Sequence, residues 1–275
     1  MSAQDLTSWI GKTEQAHEFI SFNLLKRIAA TFGEPVPGPN EALPLLWHWC
    51  FFQEPVAESA LGDDGHPARG GFLPPADDRN RMWAGSRLEF IQPLRVGAEA
   101  SRLSTITHIE EKLGRTGNLL FVTVRHDYHQ EGKLCLRDEQ DIVYRQATPP
   151  KLSDGEALND GQWSEQVSPG PVLLFRYSAV TFNGHRIHYD APYVTQVEHY
   201  PQLVVHGPLI ATLNLRAFCR AHPQARVRSF SFRGVRPLLA GAPFQVGGRI
   251  LGPGHAQVWA GNESGAAQLA HVTFD

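Results

Sequence analysis

The run Phe175-Arg176-Tyr177-Ser178-Ala179-Val180-Thr181-Phe182-Asn183-Gly184-His185-Arg186-Ile187-His188-Tyr189-Asp190, followed shortly by Leu203-Val204-Val205-His206-Gly207-Pro208-Leu209, holds more chemistry than the rest of the chain together. It sets an amide, two imidazoles and a carboxylate just upstream of a helix start. Pro208 leads into the apolar run Leu209-Ile210-Ala211-Thr212-Leu213-Asn214-Leu215-Arg216-Ala217-Phe218, and proline is favoured in a first turn, where its missing N–H costs nothing. A run apolar nearly all round predicts a helix wrapped by other structure. Proton-carrying groups at the mouth of such a helix suit addition of water to a polarised double bond.

Working outward, Pro44 precedes a similar run, Leu45-Leu46-Trp47-His48-Trp49-Cys50-Phe51-Phe52, and predicts a second buried helix. The Pro-Leu-x-x-Gly of Pro93 to Gly97 recurs at Pro237 to Gly241, 144 positions later, whereas the two helix starts lie 164 apart. The first half must therefore carry about 20 extra residues. The stretch Glu54 to Arg81, rich in turn signals such as Gly62-Asp63-Asp64-Gly65 and Gly70-Gly71, supplies them. Loops of that length are usually lids, binding loops or disordered segments.

Short β-branched and aromatic segments follow each helix: Leu119 to Val124, Asp141 to Tyr144, Arg226 to Phe232, Ala256 to Trp259 and Leu269 to Phe274. A helix followed by a strongly curved antiparallel sheet, twice over, gives an α+β class. The boundaries expected are a first unit at 1–147, a linker at 148–168 and a second unit at 169–275. Stepping back 164 positions from Asn183 and His188 lands on Phe19 and Leu24, so one site per chain is expected.

A chain of 275 residues with 42% hydrophobic content can build a substantial core. A net charge of −3 argues against a nucleic-acid partner, which needs a dominant basic field. The three cysteines, Cys50, Cys135 and Cys219, are widely separated, so neither a disulfide framework nor a zinc knuckle is expected. The first residues lack the features of a secretory signal, and no apolar segment reaches the ~20 residues of a membrane span. A soluble cytoplasmic protein with no membrane partner is the expectation.

Within the decisive run His188 is the favoured general base, because an imidazole near its ordinary pKa of ~6.5 is suited to the task at neutral pH. His185 is the rival. Asn183 offers a carbonyl to accept from water and an NH₂ to donate, against a reading as the turn residue of an Asn-Gly pair. Asp190 is expected either to cap a short helix from Ala191 to Glu198 or to orient His188. Gly207 opens the buried helix, where amides point outward unpaired at the positive dipole end, and is the candidate oxyanion donor. Arg226, Arg228, Arg233 and Arg236 crowd one strand region as a candidate phosphate patch, against a solvated strand face. Arg176 and Arg186 lie close to the run and Arg79, Arg81 and Arg87 beside the long loop, and Tyr193 and Glu198 are candidates to line the pocket. No metal site is expected.

Asn183 with His188 five positions on, and then His206-Gly207 at a helix start, resembles the MaoC-like hydratases and dehydratases, whose motif is Asp-x-Asn-Pro-x-His before a His-Gly. Asn183 stands where most of those enzymes have Asp, so it cannot take a proton. Asn-x-His-Arg-Ile-His-Tyr-Asp is similar to the branch holding type 2 hydroxyacyl-thioester dehydratases and the mesaconyl-CoA and itaconyl-CoA hydratases. The resemblance implies a double hot-dog fold, each unit a long helix wrapped by antiparallel sheet, with the motif only in the C-terminal unit. It further implies a hydro-lyase in which Asn183 and His188 handle water, acting on a branched C5 dicarboxyl enoyl-CoA whose second carboxylate one of Arg176, Arg186, Arg79, Arg81 and Arg87 would meet, with CoA as part of the substrate, no cofactor and a homodimeric assembly. A 3-hydroxyacyl-ACP dehydratase and a non-catalytic acyl-binding subunit are the alternatives.

Overall fold

The structure, a computed structural model, describes residues 6–68, 70–76, 79–114, 117–146, 152, 155–158 and 160–275. Each half reads strand, helix, then four strands. In the first these are β1 (Thr13–Phe19), α1 (Phe22–Phe32), β2 (Asn80–Phe90), β3 (Glu99–Gly114), β4 (Gly117–Gln130) and β5 (Lys133–Arg145). In the second they are β6 (Trp163–Val167), α2 (Pro171–Val180), then α3 (Ala191–Gln196) and α4 (Gly207–Ala221), and β7 (Val227–Gly234), β8 (Phe244–Gly252), β9 (His255–Asn262) and β10 (Gly265–Phe274). The sheet order β1-β3-β4-β5-β2-β7-β10-β9-β8-β6 runs outward identically from its centre, so the halves are joined edge to edge through β2 and β7.

That seam is antiparallel, from Gly85 opposite Arg233 to Glu89 opposite Ser229. It demands a glycine. A Cβ at Gly85 would lie 2.2 Å from the Phe232 carbonyl oxygen, on backbone that cannot swing aside. Gly85→Ala is therefore expected to destabilise the fold by about 1–3 kcal/mol, read as a drop in the thermal midpoint; a wild-type melt would show that the seam yields.

α4 is the buried element expected at Pro208. Nine of its residues, from Leu209 to Phe218, are buried; Thr212 donates to the Pro208 carbonyl (2.8 Å) and Asn214 to Gln268 Oε1 on β10 (3.0 Å), while Asn214 Oδ1 has no partner among the described residues. Gln268 in turn donates to the Gly207 carbonyl at 3.0 Å, tying the start of the helix to β10.

The helix expected at Pro44 does not form. Only Trp47–Cys50 makes a 3-10 turn, because Leu46 before it and Phe52 after it take left-handed backbone, φ 67° and 60°. An α-helix cannot run through such residues, each costing roughly 1–2 kcal/mol. The run is still core, with Leu46, Trp47, Phe51 and Phe52 buried. The helix of the first half is instead α1, capped by Ser21 and ended by left-handed Gly33, and its counterpart is α2.

The repeat itself is real. Gly97 and Gly241 share φ near +80° (80° and 83°), and the Leu43 amide donates to the Leu94 carbonyl (2.7 Å) as Val205 does to Leu238 (2.8 Å). The helix N-caps Ser21 and Gly170 are 149 positions apart and these bonded amides 162. The second half thus carries 13 more residues between its short helix and this bond, which is where Asn183 to Asp190 lie. The first half, with 18 more before its Pro-Leu-x-x-Gly, has no counterpart segment to hold a second site. The expected linker needs correction at its end: Trp163–Val167 is strand β6, paired with β8. Residues 148–151, 153, 154 and 159 of that linker lie outside the described residues. Cys50 and Cys135 are buried, Cys219 partly so, and all three are free thiols. No helix among the described residues is long and apolar enough to cross a membrane.

Candidate active site

The motif begins where α2 ends. Phe182 turns the chain with φ 49°, and Asn183 Oδ1 accepts from the His185 amide at 2.9 Å. One lone pair of the carbonyl expected to hold water is therefore taken by the turn, which leaves the second lone pair and the NH₂. A 3-10 turn, Arg186–His188, then buries His188. Its Nδ1 lies 2.7 Å from the Val204 carbonyl. A carbonyl can only accept, so Nδ1 carries the proton and Nε2 presents a lone pair. Burial pulls the imidazole down to about 4, against the opposing effect of that hydrogen bond, so His188 is neutral at neutral pH. His206 stacks on it with ring centroids 3.6 Å apart and is held by Ser178 Oγ at 2.8 Å.

His185 packs against His66 (ring centroids 4.1 Å) and, edge-on, His188 (5.4 Å); burial, then the neighbouring imidazoles, pulls it down to about 2. Asp190 is the cap and not a partner of His188. Its Oδ1 accepts from the Tyr193 amide at 3.1 Å, and its Oδ2 from Arg186 Nε at 2.9 Å. Arg186 also donates to the Asp63 carbonyl and lies over the Tyr193 ring at 4.1 Å. It clamps the loop and is not available to a substrate carboxylate. Tyr193 donates to Glu198 (3.2 Å), and its ring is not part of the main cavity wall.

The arginine candidates disperse. Arg176 reaches the Ala30 carbonyl between the short helices. Arg228 pairs with Asp275, Arg233 lies 3.8 Å from exposed Glu156, and Arg236 donates to Asn262 and the Gly265 carbonyl. Arg226 borders a separate, smaller cavity beside Leu46 and His48. Of the phosphate-patch candidates, Arg228 and Arg236 are held by partners, Arg233 is exposed, Arg226 borders the other cavity, and none lines the main one. Arg79 and Arg87 are likewise committed, to Glu111 and to Glu139 with Asp141, and Arg81, like the rest, is absent from the cavity wall.

What lines the main cavity, of about 750 Å³, comes from both halves. One wall is Ser178, Asn183, Gly184, Tyr189 and Pro208; the other is Trp49, Arg102, His126, Tyr128 and Gln140. The second set follows from strand register: Arg102 opposes Tyr128, and His126 opposes Asp138 two residues from Gln140, so period-2 alternation turns all of them to one face. Asp138 is fully buried and accepts from Trp49 Nε1 (2.9 Å) and Gln140 Nε2 (2.7 Å). Arg102 donates to Glu14 Oε1 at 3.3 Å, and its Nε has no partner among the described residues. Sequence reasoning missed this wall, although polar residues at every second position of strands otherwise facing a core were its signal.

The long first-half loop also reaches the motif. Gly65 lies so close that a Cβ there would sit 2.0 Å from the Gly184 carbonyl oxygen, and the Arg186 amide donates to the Asp64 carbonyl at 2.9 Å. His66, which lines the cavity, is held through Nδ1 by Asp64 Oδ2 at 2.9 Å. Burial would raise the Asp64 carboxyl, but the bond to His66 holds it well below its ordinary range. The ligand-type atoms of Asp64, His66 and His185 lie within 4.8 Å of one another, the one cluster among the described residues with metal-ligand composition. Gly207 begins α4 with open space where a Cβ would stand, and the next residue, Pro208, lines the cavity.

Five imidazoles are held neutral by burial: His126 and His188 at about 4, His185 at about 2, and His48 and His206 below the ordinary value. Their folded values lie below the unfolded ~6.5, so the unfolded chain binds protons first as pH falls. Stability should be full above about pH 7 and decline through pH 6 to 4, by up to about 1.4 kcal/mol per pH unit for each group that titrates. Thermal midpoints across that range check it, and a flat profile would contradict it.

A two-fold repeat of helix and curved antiparallel sheet, with one amide-and-imidazole motif at the buried helix, defines a double hot-dog of the MaoC type. Solved structures agree: a MaoC-like dehydratase from Phytophthora capsici superposes over 96% of this chain and 95% of its own with a TM-score of 0.70 at 14% identity. The chain belongs to the type 2 hydroxyacyl-thioester dehydratase family, whose model matches residues 46–240. It is 45% identical to the mesaconyl-C(4)-CoA hydratase of Chloroflexus aurantiacus, over 90% of this chain and 89% of that protein. To the mitochondrial hydroxyacyl-thioester dehydratase type 2 of Schizosaccharomyces pombe it is 28% identical, over 73% and 75%. The protein is accordingly an enzyme, a hydratase or dehydratase of acyl thioesters.

Proposed function

We propose that this enzyme adds water to, or removes it from, a short branched enoyl-CoA that carries a second carboxylate, of the mesaconyl-CoA kind. The observation that carries the reading is one cavity with Asn183 and Gly184 of the motif on one wall and Arg102 on the other; His188 and Gly207 adjoin the lining residues Tyr189 and Pro208 in the chain without lining the cavity themselves. A buried carboxylate is costly unless donors meet it, and a guanidinium fork is the favoured partner. A fatty acyl chain would leave Arg102, His126 and Gln140 facing hydrocarbon. The 45% identical relative, named for a mesaconyl thioester, points the same way.

In this reading His188 Nε2 takes a proton from water as its oxygen bonds to Cβ. The Asn183 NH₂ helps hold the water, and the Gly207 amide receives the developing enolate oxygen at the positive end of α4. CoA enters as part of the substrate and no separate cofactor is invoked. The test is hydration of a panel of enoyl-CoA esters, followed by loss of the conjugated thioester's absorbance and ranked by kcat/KM. C5 dicarboxyl thioesters should lead crotonyl-CoA by a wide margin. Equal or better turnover of crotonyl-CoA or longer chains would replace the proposal with a fatty-acid dehydratase.

A further inference from the structure

Hydration needs two proton-transfer events, one from water and one to Cα. His188 can serve the first, but Asn183, the next residue of the motif, cannot hold a proton. The second group must come from elsewhere around the cavity. Of the three clustered imidazoles, His66 lines the cavity directly, while His188 is joined to it through His185, whose ring lies against both. It belongs to the long loop of the first half, and main-chain contacts fix that loop on the motif at Gly65 with Gly184 and at Asp64 with Arg186. Its ring is aimed by Asp64, whose Oδ2 accepts from Nδ1 at 2.9 Å. A carboxylate that orients an imidazole and stabilises its charged form is the arrangement that makes histidine an effective proton donor.

Resting on the hydration reading, we propose that the Asp64–His66 pair is the second acid–base group of this site, supplied by the first half in place of the carboxylate that Asn183 lacks. Water gives one proton to His188 Nε2 and its oxygen bonds to Cβ. The π electrons move through Cα onto the thioester oxygen. The enolate then collapses to Cα, which takes a proton from protonated His66. The site is left with His188 protonated and His66 neutral, and transfer of one proton from the first to the second, by way of His185 or solvent, restores it. Dehydration is the reverse. A divalent cation is a poorer occupant of this cluster, because Asp64 Oδ2 and His66 Nδ1 already spend their facing atoms on each other.

Around His66 the charged and titratable groups, among the described residues, are Asp64 and His185, with His188, Arg81 and the Arg186–Asp190 pair beyond. Activity requires His66 protonated and should fall on an alkaline limb. His66→Gln should lower kcat on the preferred thioester by about 10²-fold or more, change KM little, and abolish that limb. Asp64→Asn leaves the loop's main-chain bonds intact and should move the limb to lower pH, since an imidazole without its carboxylate loses its proton more readily. Both variants should melt cooperatively. Wild-type kcat and an unchanged limb in His66→Gln overturn the pair while leaving hydration in place. A wild-type enzyme that hydrates no enoyl-CoA overturns the underlying reading instead. Activity abolished by EDTA and restored by zinc in the wild type but not in His66→Gln also overturns the pair and makes the cluster a metal site.

Discussion

Replacing His188 with alanine is expected to lower kcat for enoyl-CoA hydration by at least about 10²-fold, the usual loss when a general acid–base group is removed. The reason is its tautomer: Nδ1 is held by the Val204 carbonyl at 2.7 Å, so Nε2 is a lone pair at all pH values where the ring is neutral, and burial extends that range down to about 4. His185→Ala should cost less, since its ring lies between two other imidazoles and its amide, not its ring, holds Asn183. The pair of variants is read by steady-state kinetics beside a thermal melt, because His188→Ala also removes a buried hydrogen bond and the stack on His206. A larger kcat loss in folded His185→Ala than in His188→Ala would assign the base to the wrong ring.

Arg102→Met should separate substrates. Removing one partner of a buried charged contact costs about 2–4 kcal/mol, roughly 30- to 1000-fold in kcat/KM, and that loss should fall on C5 dicarboxyl thioesters alone. Crotonyl-CoA has no second carboxylate to lose a partner, and methionine preserves most of the side-chain volume, so its kcat/KM should hold or improve. The bond from Arg102 to Glu14 links β3 to β1, and a purely structural arginine would depress both substrates equally. That outcome would remove Arg102 from substrate recognition.

The polar wall that Arg102 belongs to shows why parts of this molecule were hard to read in one dimension. Arg102, Tyr128 and Gln140 are up to 38 positions apart and meet only because β3, β4 and β5 pair in one register. Local patterns succeeded where the physics is local. Pro208 opens α4, Asp190 caps α3, and Gly97 and Gly241 repeat one turn, because capping and backbone conformation depend on neighbours in sequence. The helix expected after Pro44 failed because its apolar run is compatible with any buried conformation. Ser21 and Gly33, a cap and a left-handed stop around Leu25, Ile28, Ala29 and Phe32, were the better signal for the helix of that half.

By itself, then, the sequence determined the family resemblance and the repeat: Asn183, His188 and Gly207, the residues that carry the resemblance, share one segment and one helix start, and their spacing is set by covalent connectivity. Only the tertiary structure decided what the arginines do. Arg186, Arg228 and Arg233 are near the motif or crowded together in sequence, yet they are turned to carboxylates, backbone or solvent. Arg102, in the other half, is brought to the cavity by strand register. The same holds for Asp64 and His66, which reach the motif because Gly65 lets two backbones touch. A charge takes its role from the partners that surround it, and for Arg102, Arg228 and Arg233 those partners are residues 88, 47 and 77 positions away that folding brings close.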